Sequence, residues 1–444
     1  MEQLMTPKAS PKKQISQVTL SPKITLLNPP SANFANVISP LSSGLTNLIY
    51  EFEMPDVKET NPVDALLSKP GINRKRSCSP SRTHKRRMSH HANMAKTAVG
   101  LRQLAKKMGE TELAWVAKPN KVLIVCKLGD PSLVQLALDV AAFLIRLGLT
   151  VYIQEPILAD YLKMDGPHTQ EITNHLHIST GKLQFWDEVY CATVGSEEID
   201  FVLSLGGDGT VLFAAWLFQT KCPPIVPFNL GSLGFLTVFD HLKMDTVIHN
   251  ILKPGSTMRM NIRMRFKCTI HRADFTAADN GNSYQILNDV CVDRGPSPFL
   301  SQLELYGNSS HLTTVQADGL VIATPTGSTA YSLSAGGSVV HPDVSAILVT
   351  PICPHTLSFR PMILPDTMDV RVLVPEDSRS TAWVSFDGRH RVHLKAGDSI
   401  QIVASQDPVP TLCLVRQSDD WFNGLETCLA WNKRSRQKVL ETKK

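Results

Sequence analysis

From residue 121 the apolar positions fall in short blocks, and their period changes once. Val122 to Cys126, Val151 to Ile153, Phe201 to Leu205 and Ile225 to Phe228 are nearly unbroken apolar runs. Runs that short and that continuous predict strands buried on both faces, as in a mainly parallel sheet. After the first run, Asp130-Pro131 supplies an N-cap and a first-turn proline for a helix through Leu147, which Gly148 closes. Strand and helix signals therefore alternate, which predicts an α/β domain over residues 113–257.

At Met258 the period becomes two. Met258, Met260, Ile262, Met264, Phe266, Cys268 and Ile270 alternate with Arg259, Asn261, Arg263, Arg265, Lys267 and Thr269. The direct expectation is one long strand with an apolar and a basic face. Asn280-Gly281 marks a turn before a hairpin partner over 284–293. Similar alternation at 368–374 and 392–404 extends the pattern into an all-β, sandwich-like domain over 258–410. A helical segment around Trp421, Leu425 and Leu429 belongs to the remaining 411–444.

Residues 1–112 carry prolines, serines and short apolar patches with no sustained period, and are expected to be a disordered, basic, Ser-rich regulatory tail. The formal charge of +5 on 444 residues comes from here. Residues 74–107 hold eleven Lys or Arg and no acid, which leaves the remainder at −6. The folded part is thus not expected to bind nucleic acid. Arginine stands three residues before Ser77, Ser79 and Ser89, a spacing that suits a protein kinase acting on the tail. Nine cysteines are scattered singly with no C-x-x-C, which fits reduced thiols rather than a zinc site or a disulfide framework. No stretch reaches the length of a membrane span and no secretory signal is evident, so the expected location is cytoplasmic, with no membrane partner.

The most informative chemistry lies at Gly206-Gly207-Asp208-Gly209-Thr210, between the Phe201–Leu205 run and an apolar run over 211–218. Glycines at a strand-to-helix junction let backbone N–H groups approach an anion, and the helix N-terminus adds its positive dipole end. A carboxylate inside a phosphate cradle repels the ligand unless it meets a metal ion or a reacting hydroxyl, so Asp208 points to phosphoryl transfer. The P-loop string G-x-x-x-x-G-K-[ST] does not occur, and Leu212 replaces the third glycine of a Rossmann fingerprint. Further along, Asn288-Asp289 interrupts an apolar strand, and Asp318-Gly319 precedes Thr324-Pro325-Thr326-Gly327-Ser328-Thr329-Ala330-Tyr331, followed by Ser334 and Gly336-Gly337. Hydroxyls, glycines and a tyrosine in one loop suit a ribose, a pyrophosphate and a ring to stack on.

Taken in order, these segments resemble NAD kinases, most closely the animal cytosolic type. The resemblance also includes Leu230-Gly231-Ser232-Leu233-Gly234-Phe235-Leu236, Asp293-Arg294-Gly295-Pro296-Ser297, Thr350-Pro351-Ile352-Cys353-Pro354-His355 and Trp383-Val384-Ser385-Phe386-Asp387-Gly388-Arg389. The Gly-Gly-Asp-Gly string alone also occurs in diacylglycerol and sphingosine kinases; the later motifs are the specific ones. The resemblance implies ATP-dependent phosphorylation of NAD at the 2′-hydroxyl of its adenosine ribose, an active site between an α/β and a β-sandwich domain, and homo-oligomers. Magnesium is implied as the cofactor, held mainly through the ATP phosphates with no protein metal site. By motif, Asp208 is the catalytic candidate, and Gly206, Gly207, Gly209 and Thr210 would serve ATP. Asp208, Gly209, Phe235, Asn288, Asp289, Asp318, Thr326, Thr329, Ala330, Tyr331 and Ser334 would contact NAD. Arg294, His355 and Asp387 stay outside the catalytic set, with Asp387-Gly388 read as a hairpin turn. The chain departs from common family patterns at Asp289, where many members have Glu, at Asn229, and at Ser332-Leu333-Ser334. Two other classes compete: a lipid kinase sharing only the glycine loop, and a silent NAD-binding sensor, whose expected mark is the loss of Asp208.

Overall fold

The computed structural model describes residues 24–26, 112–115, 117–128, 130–161 and 181–431. Ser77, Ser79 and Ser89 lie outside the described residues. Ile24–Leu26, within the stretch expected to lack structure, pairs as a strand with Leu113–Trp115, which pairs in turn with Thr257–Met258.

The α/β domain is organised on an eight-stranded sheet. Its order is Met260–Arg263, Val409–Leu412, Ile225–Asn229, Phe201–Leu205, Lys121–Cys126, Thr150–Gln154, Leu183–Trp186, with Phe239–Asp240 pairing beside Ile225–Asn229. All pairings are parallel except that of Met260–Arg263 with Val409–Leu412. The continuous apolar runs explain this layout, since helices cover both faces. The Pro131–Arg146 helix starts where Asp130 accepts from Ser132 N–H at 3.0 Å, and buries Val134, Leu138, Ala141 and Leu144 on one side. The Asp208–Leu217 helix buries Val211, Ala214, Ala215 and Leu217 on the other. The chain builds outward from Lys121–Cys126 to Leu183–Trp186, then reverses to Phe201–Leu205 on the opposite side. That reversal is a topological switch point, and ligands of open α/β sheets bind beyond the strand carboxyl ends there. Gly206 is the first residue past one of those ends.

The second domain is a sandwich of two six-stranded antiparallel sheets. Phe266, Ile270, Leu303 and Val372 of one sheet share a core with Val290, Ile322, Val349 and Phe386 of the other.

The alternating segment differs from expectation. It is divided into Thr257–Met258, Met260–Arg263 and Phe266–His271, which join three different sheets. Only the last has the expected faces, with Phe266, Cys268 and Ile270 buried and Lys267 exposed. Before it the alternation breaks down: Met260 and Asn261 are both buried, Ile262 is 51% exposed, and Arg263 and Arg265 are buried. Arg265 is accommodated because it donates to the carbonyls of Phe218 (2.7 Å), Thr220 (2.5 Å) and Asp407 (2.5 Å). It thereby caps the carboxyl end of the Asp208–Leu217 helix, where a cation also meets the negative end of the dipole. Met260–Arg263 lies past the boundary expected at 258, and Val409–Leu412 spans the one expected at 410, so the α/β sheet uses chain from both sides of the sandwich. The Gln417–Leu429 helix touches both domains: Gly424 faces the Phe235 ring, and Trp421 meets His341 edge-on with centroids 4.9 Å apart.

Candidate active site

Asp208 is the first residue of its helix, after the Gly207 N-cap. Its carboxylate turns to the loop that follows Ile225–Asn229. Oδ2 accepts from Phe235 N–H at 2.9 Å, and Oδ1 accepts from Leu236 N–H (3.0 Å), Thr237 N–H (3.2 Å) and the Thr237 hydroxyl (3.1 Å). Two loops leaving neighbouring strand ends are thus joined by one side chain. Gly234 is required by this closeness, because a Cβ there would stand 2.1 Å from Asp208 Oδ1. Asn229 supports the loop from below, its amide 3.4 Å from the Thr237 carbonyl. Gly207 and Gly209 face open space, which leaves the helix N-terminus accessible to an anion.

The second half of the site comes from the sandwich. Asp387, at the Asp-Gly hairpin turn, sends its carboxylate back to Leu287 N–H (2.8 Å), Asn288 N–H (2.8 Å) and Asp289 N–H (3.1 Å). Its φ of 48° places it in the left-handed region that such a turn demands. Burial pushes the Asp387 carboxyl above its ordinary range, opposed by those three N–H groups. The same hairpin lays His390 against Trp216 (ring centroids 4.6 Å apart) and Arg389 over Phe213 (4.9 Å), so it rests on the helix that Asp208 opens. Leu287 packs in one cluster with Val211 and Leu236, which brings Asn288 to the glycine loop.

Asn288 then carries a polar atom that the protein does not satisfy, and Asp289 beside it a buried carboxyl. Asn288 Oδ1 is buried without a hydrogen-bond partner. The Asp289 carboxyl is 7% exposed as a residue, and burial followed by the neighbouring Asp387 raises its pKa to about 7. Buried polar groups left open in this way mark a place where a ligand supplies the partner. Above them runs the 324–331 loop. Thr324 N–H donates to Asn288 O at 2.9 Å, and Gly327 approaches so closely that a Cβ would stand 2.1 Å from the same oxygen. Thr326 is buried, Thr329 Oγ1 donates to Thr326 O at 3.3 Å, and Ala330 N–H closes the turn on Gly327 O at 3.0 Å. Tyr331 is 44% exposed; its pKa is raised chiefly by burial, with Cys291, Asp293, Cys353 and Asp289 adding. Ser334 follows at the end of the short Tyr331–Ser334 helix and is exposed.

The structure therefore gathers Gly206 to Thr210 with Phe235 in one group, and Asn288, Asp289, Thr326, Thr329, Ala330 and Tyr331 in the other. Asp318 is engaged elsewhere: Arg294 Nε donates to it at 2.8 Å. Three residues were passed over. Arg263 and Arg265 belong to the basic face that the alternation predicts, and an arginine in a strand that switches sheets carries no local mark of burial. Asp387 was read as a turn residue only, since nothing local signals a partner loop one hundred residues away. Among the described residues, no cluster of three or more His, Cys, Asp or Glu is arranged to hold a metal ion.

Two family models match the chain, the ATP-NAD kinase N-terminal domain over residues 122–256 and the ATP-NAD kinase C-terminal domain over 287–414. An ATP-NADH kinase of Saccharomyces cerevisiae is 42% identical over 355 residues, covering 77% of this chain and 70% of its own. An NAD(+) kinase of the same yeast is 40% identical, covering 78% and 66%. A probable chloroplastic NAD kinase of Oryza sativa is 45% identical over 74% of this chain, which spans only 32% of that longer protein. Among solved structures, yeast NADH kinase complexed with NADH superposes with a TM-score of 0.64 at 30% identity, covering 74% of this chain and 93% of its own. Its likeness spans the α/β and sandwich domains in one superposition, so sequence and architecture agree that this chain belongs to the ATP-NAD kinase family.

Proposed function

We propose that the chain transfers the γ-phosphoryl group of ATP to the 2′-hydroxyl of the adenosine ribose of NAD, giving NADP and ADP. The observation that carries this reading is the junction of an open glycine-loop helix N-terminus with the unsatisfied Asn288 Oδ1 and the buried Asp289 carboxyl beneath the 324–331 loop. One half suits polyphosphate and the other a ribose. The hydroxyl oxygen forms a bond to the γ-phosphorus, the bond to the β–γ bridging oxygen breaks, and ADP leaves with that electron pair. Asp208 Oδ2, which accepts one donor among the described residues, is the oxygen open to take the hydroxyl proton. The four hydrogen bonds to the carboxylate hold it in one orientation, so its contribution is positional as much as basic.

Magnesium enters this reading with ATP, since it keeps several waters and binds substrate phosphates rather than an all-protein cage. When bound, it would neutralise charge on the phosphates. The finer expectations rest on sequence alone: the animal cytosolic subtype, a homo-oligomer, a cytoplasmic location, and a protein kinase acting on Ser77, Ser79 or Ser89. The subtype has the least support, because the relatives named above come from yeast and rice.

The test is incubation with NAD, ATP and magnesium, following NADP with an NADP-specific dehydrogenase, and with NADH as a parallel acceptor. NADP formation by the wild type and its loss in Asp208→Asn are expected. Well-folded wild type that forms no phosphorylated product from either acceptor would sink the activity.

A further inference from the structure

Arg263 ends the Met260–Arg263 strand with its side chain turned inward, and the residue is 5% exposed. Nε donates to Thr411 Oγ1 at 3.1 Å, and Nη1 reaches Thr326 Oγ1 only at 3.5 Å. Among the described residues no carboxylate stands at ion-pair distance from it. Its neighbour Arg265 makes the contrast, with three short bonds to backbone carbonyls. A guanidinium stays charged in proteins; its hydrogen-bond partners here are two neutral hydroxyls, and burial outweighs the through-space pull of Cys413, Asp208, Asp420 and Asp343, lowering its pKa from the ordinary value, so the buried charge lacks full compensation. A bound anion would supply it.

The location specifies which anion. Thr326 belongs to the loop above Asn288, and Asp208, Asp420 and Asp343 all act on Arg263 through space. One cation therefore touches the loop assigned to NAD and lies within electrostatic range of the carboxylate assigned to the reacting hydroxyl. We propose that Arg263 is a binding residue for the transferred phosphoryl group, which it meets as the 2′-phosphate of the product. The inference rests on the reading in the preceding section. No bond to Arg263 is made or broken; its planar fork donates hydrogen bonds to phosphoryl oxygens, a geometry that lysine does not reproduce.

The test compares NADP and NAD affinities of the full chain by calorimetry for wild type, Arg263→Gln and Arg263→Lys. Arg263→Gln keeps a donor for the threonines but removes the charge. NADP affinity should fall roughly 10- to 100-fold while NAD affinity stays within about 3-fold, as expected for loss of charge-assisted bonds to one group. Arg263→Lys should recover part of the NADP affinity, leaving a loss of about 3- to 10-fold. Equal weakening of both nucleotides in either variant would overturn the proposal in favour of a strut between Thr411 and Thr326, as would no change in either. If the glutamine variant does not fold, the lysine variant decides by the same ratio. Wild type that makes no NADP would defeat the activity reading instead, and that result comes from turnover rather than from the affinity ratio.

Discussion

Asp208 in the α/β domain and Asp387 in the sandwich are held in the same way. Each carboxylate accepts from three consecutive backbone N–H groups of a separate loop, 235–237 in one case and 287–289 in the other. Each site also has a glycine whose Cβ would intrude, Gly234 at 2.1 Å from Asp208 and Gly327 at 2.1 Å from Asn288 O. The two differ in where they point. Asp208 stands at an open helix N-terminus and can meet a substrate itself. Asp387 is turned in from a hairpin and fixes Asn288, which carries the unsatisfied oxygen, and Asp289, which carries the buried carboxyl. A single local device thus serves contact in one domain and positioning in the other.

The sharpest separation should come from the asparagine pair. Asp208→Asn should lower turnover by ~10²–10⁴-fold, the range of a lost acid-base group. Asp387→Asn should leave turnover within about 10-fold and act mainly by raising the KM for NAD. Both amides turn one donor toward a backbone N–H, so each variant should lose roughly 1–3 kcal/mol of stability in a denaturant titration. Equal loss of turnover in both, with KM unchanged, would break the distinction.

The glycines offer the next contrast. Gly234→Ala pushes on the hydrogen-bonded side chains of Asp208 and Thr237, whereas Gly327→Ala pushes on the backbone of Asn288, which yields less. Overpacking of this kind costs about 1–3 kcal/mol, and the alanine at 327 should lie at the upper end and that at 234 at the lower. A melting comparison that ranked them the other way would mean the 324–331 loop yields more readily than the Asp208 clamp.

The smallest effect is on pH dependence. Asp289 sits near pH 7 in the fold, above its ordinary value of about 3.9. A raised acid contributes stability that is complete below the ordinary value and declines as pH rises through the folded one. Without nucleotide, the wild type should therefore lose stability between about pH 4 and 7, and Asp289→Asn should flatten that decline by ~3 °C in Tm. Superimposable profiles for the two proteins would show that Asp289 does not titrate in this window.

Much of this arrangement could be read in the residues, and what could not has physical reasons. Continuous apolar runs identified the parallel strands, because strands covered on both faces tolerate no polar alternation. The glycines and Asp208 marked the strand-to-helix junction, because few residue types allow that approach. Alternation located the second domain but not which face of residues 260–265 is inside: a period of two separates two faces, and only the partner strand Val409–Leu412 decides between them. Asp387 escaped for a related reason, since its turn is local and its hydrogen bonds are not.

The return of Val409–Leu412 to the first sheet has a consequence for synthesis. During translation the Phe201–Leu205 and Ile225–Asn229 strands emerge long before the strand that pairs with Ile225–Asn229 on its far side. Phe239–Asp240 covers Phe228 and Asn229 early, but until the whole sandwich has left the ribosome the edge at Ile225 stays open, with N–H and C=O groups available to other chains. Domains often mature in the order they are made. Here the amino-terminal one is completed last, by a segment that crosses the entire sandwich to reach it.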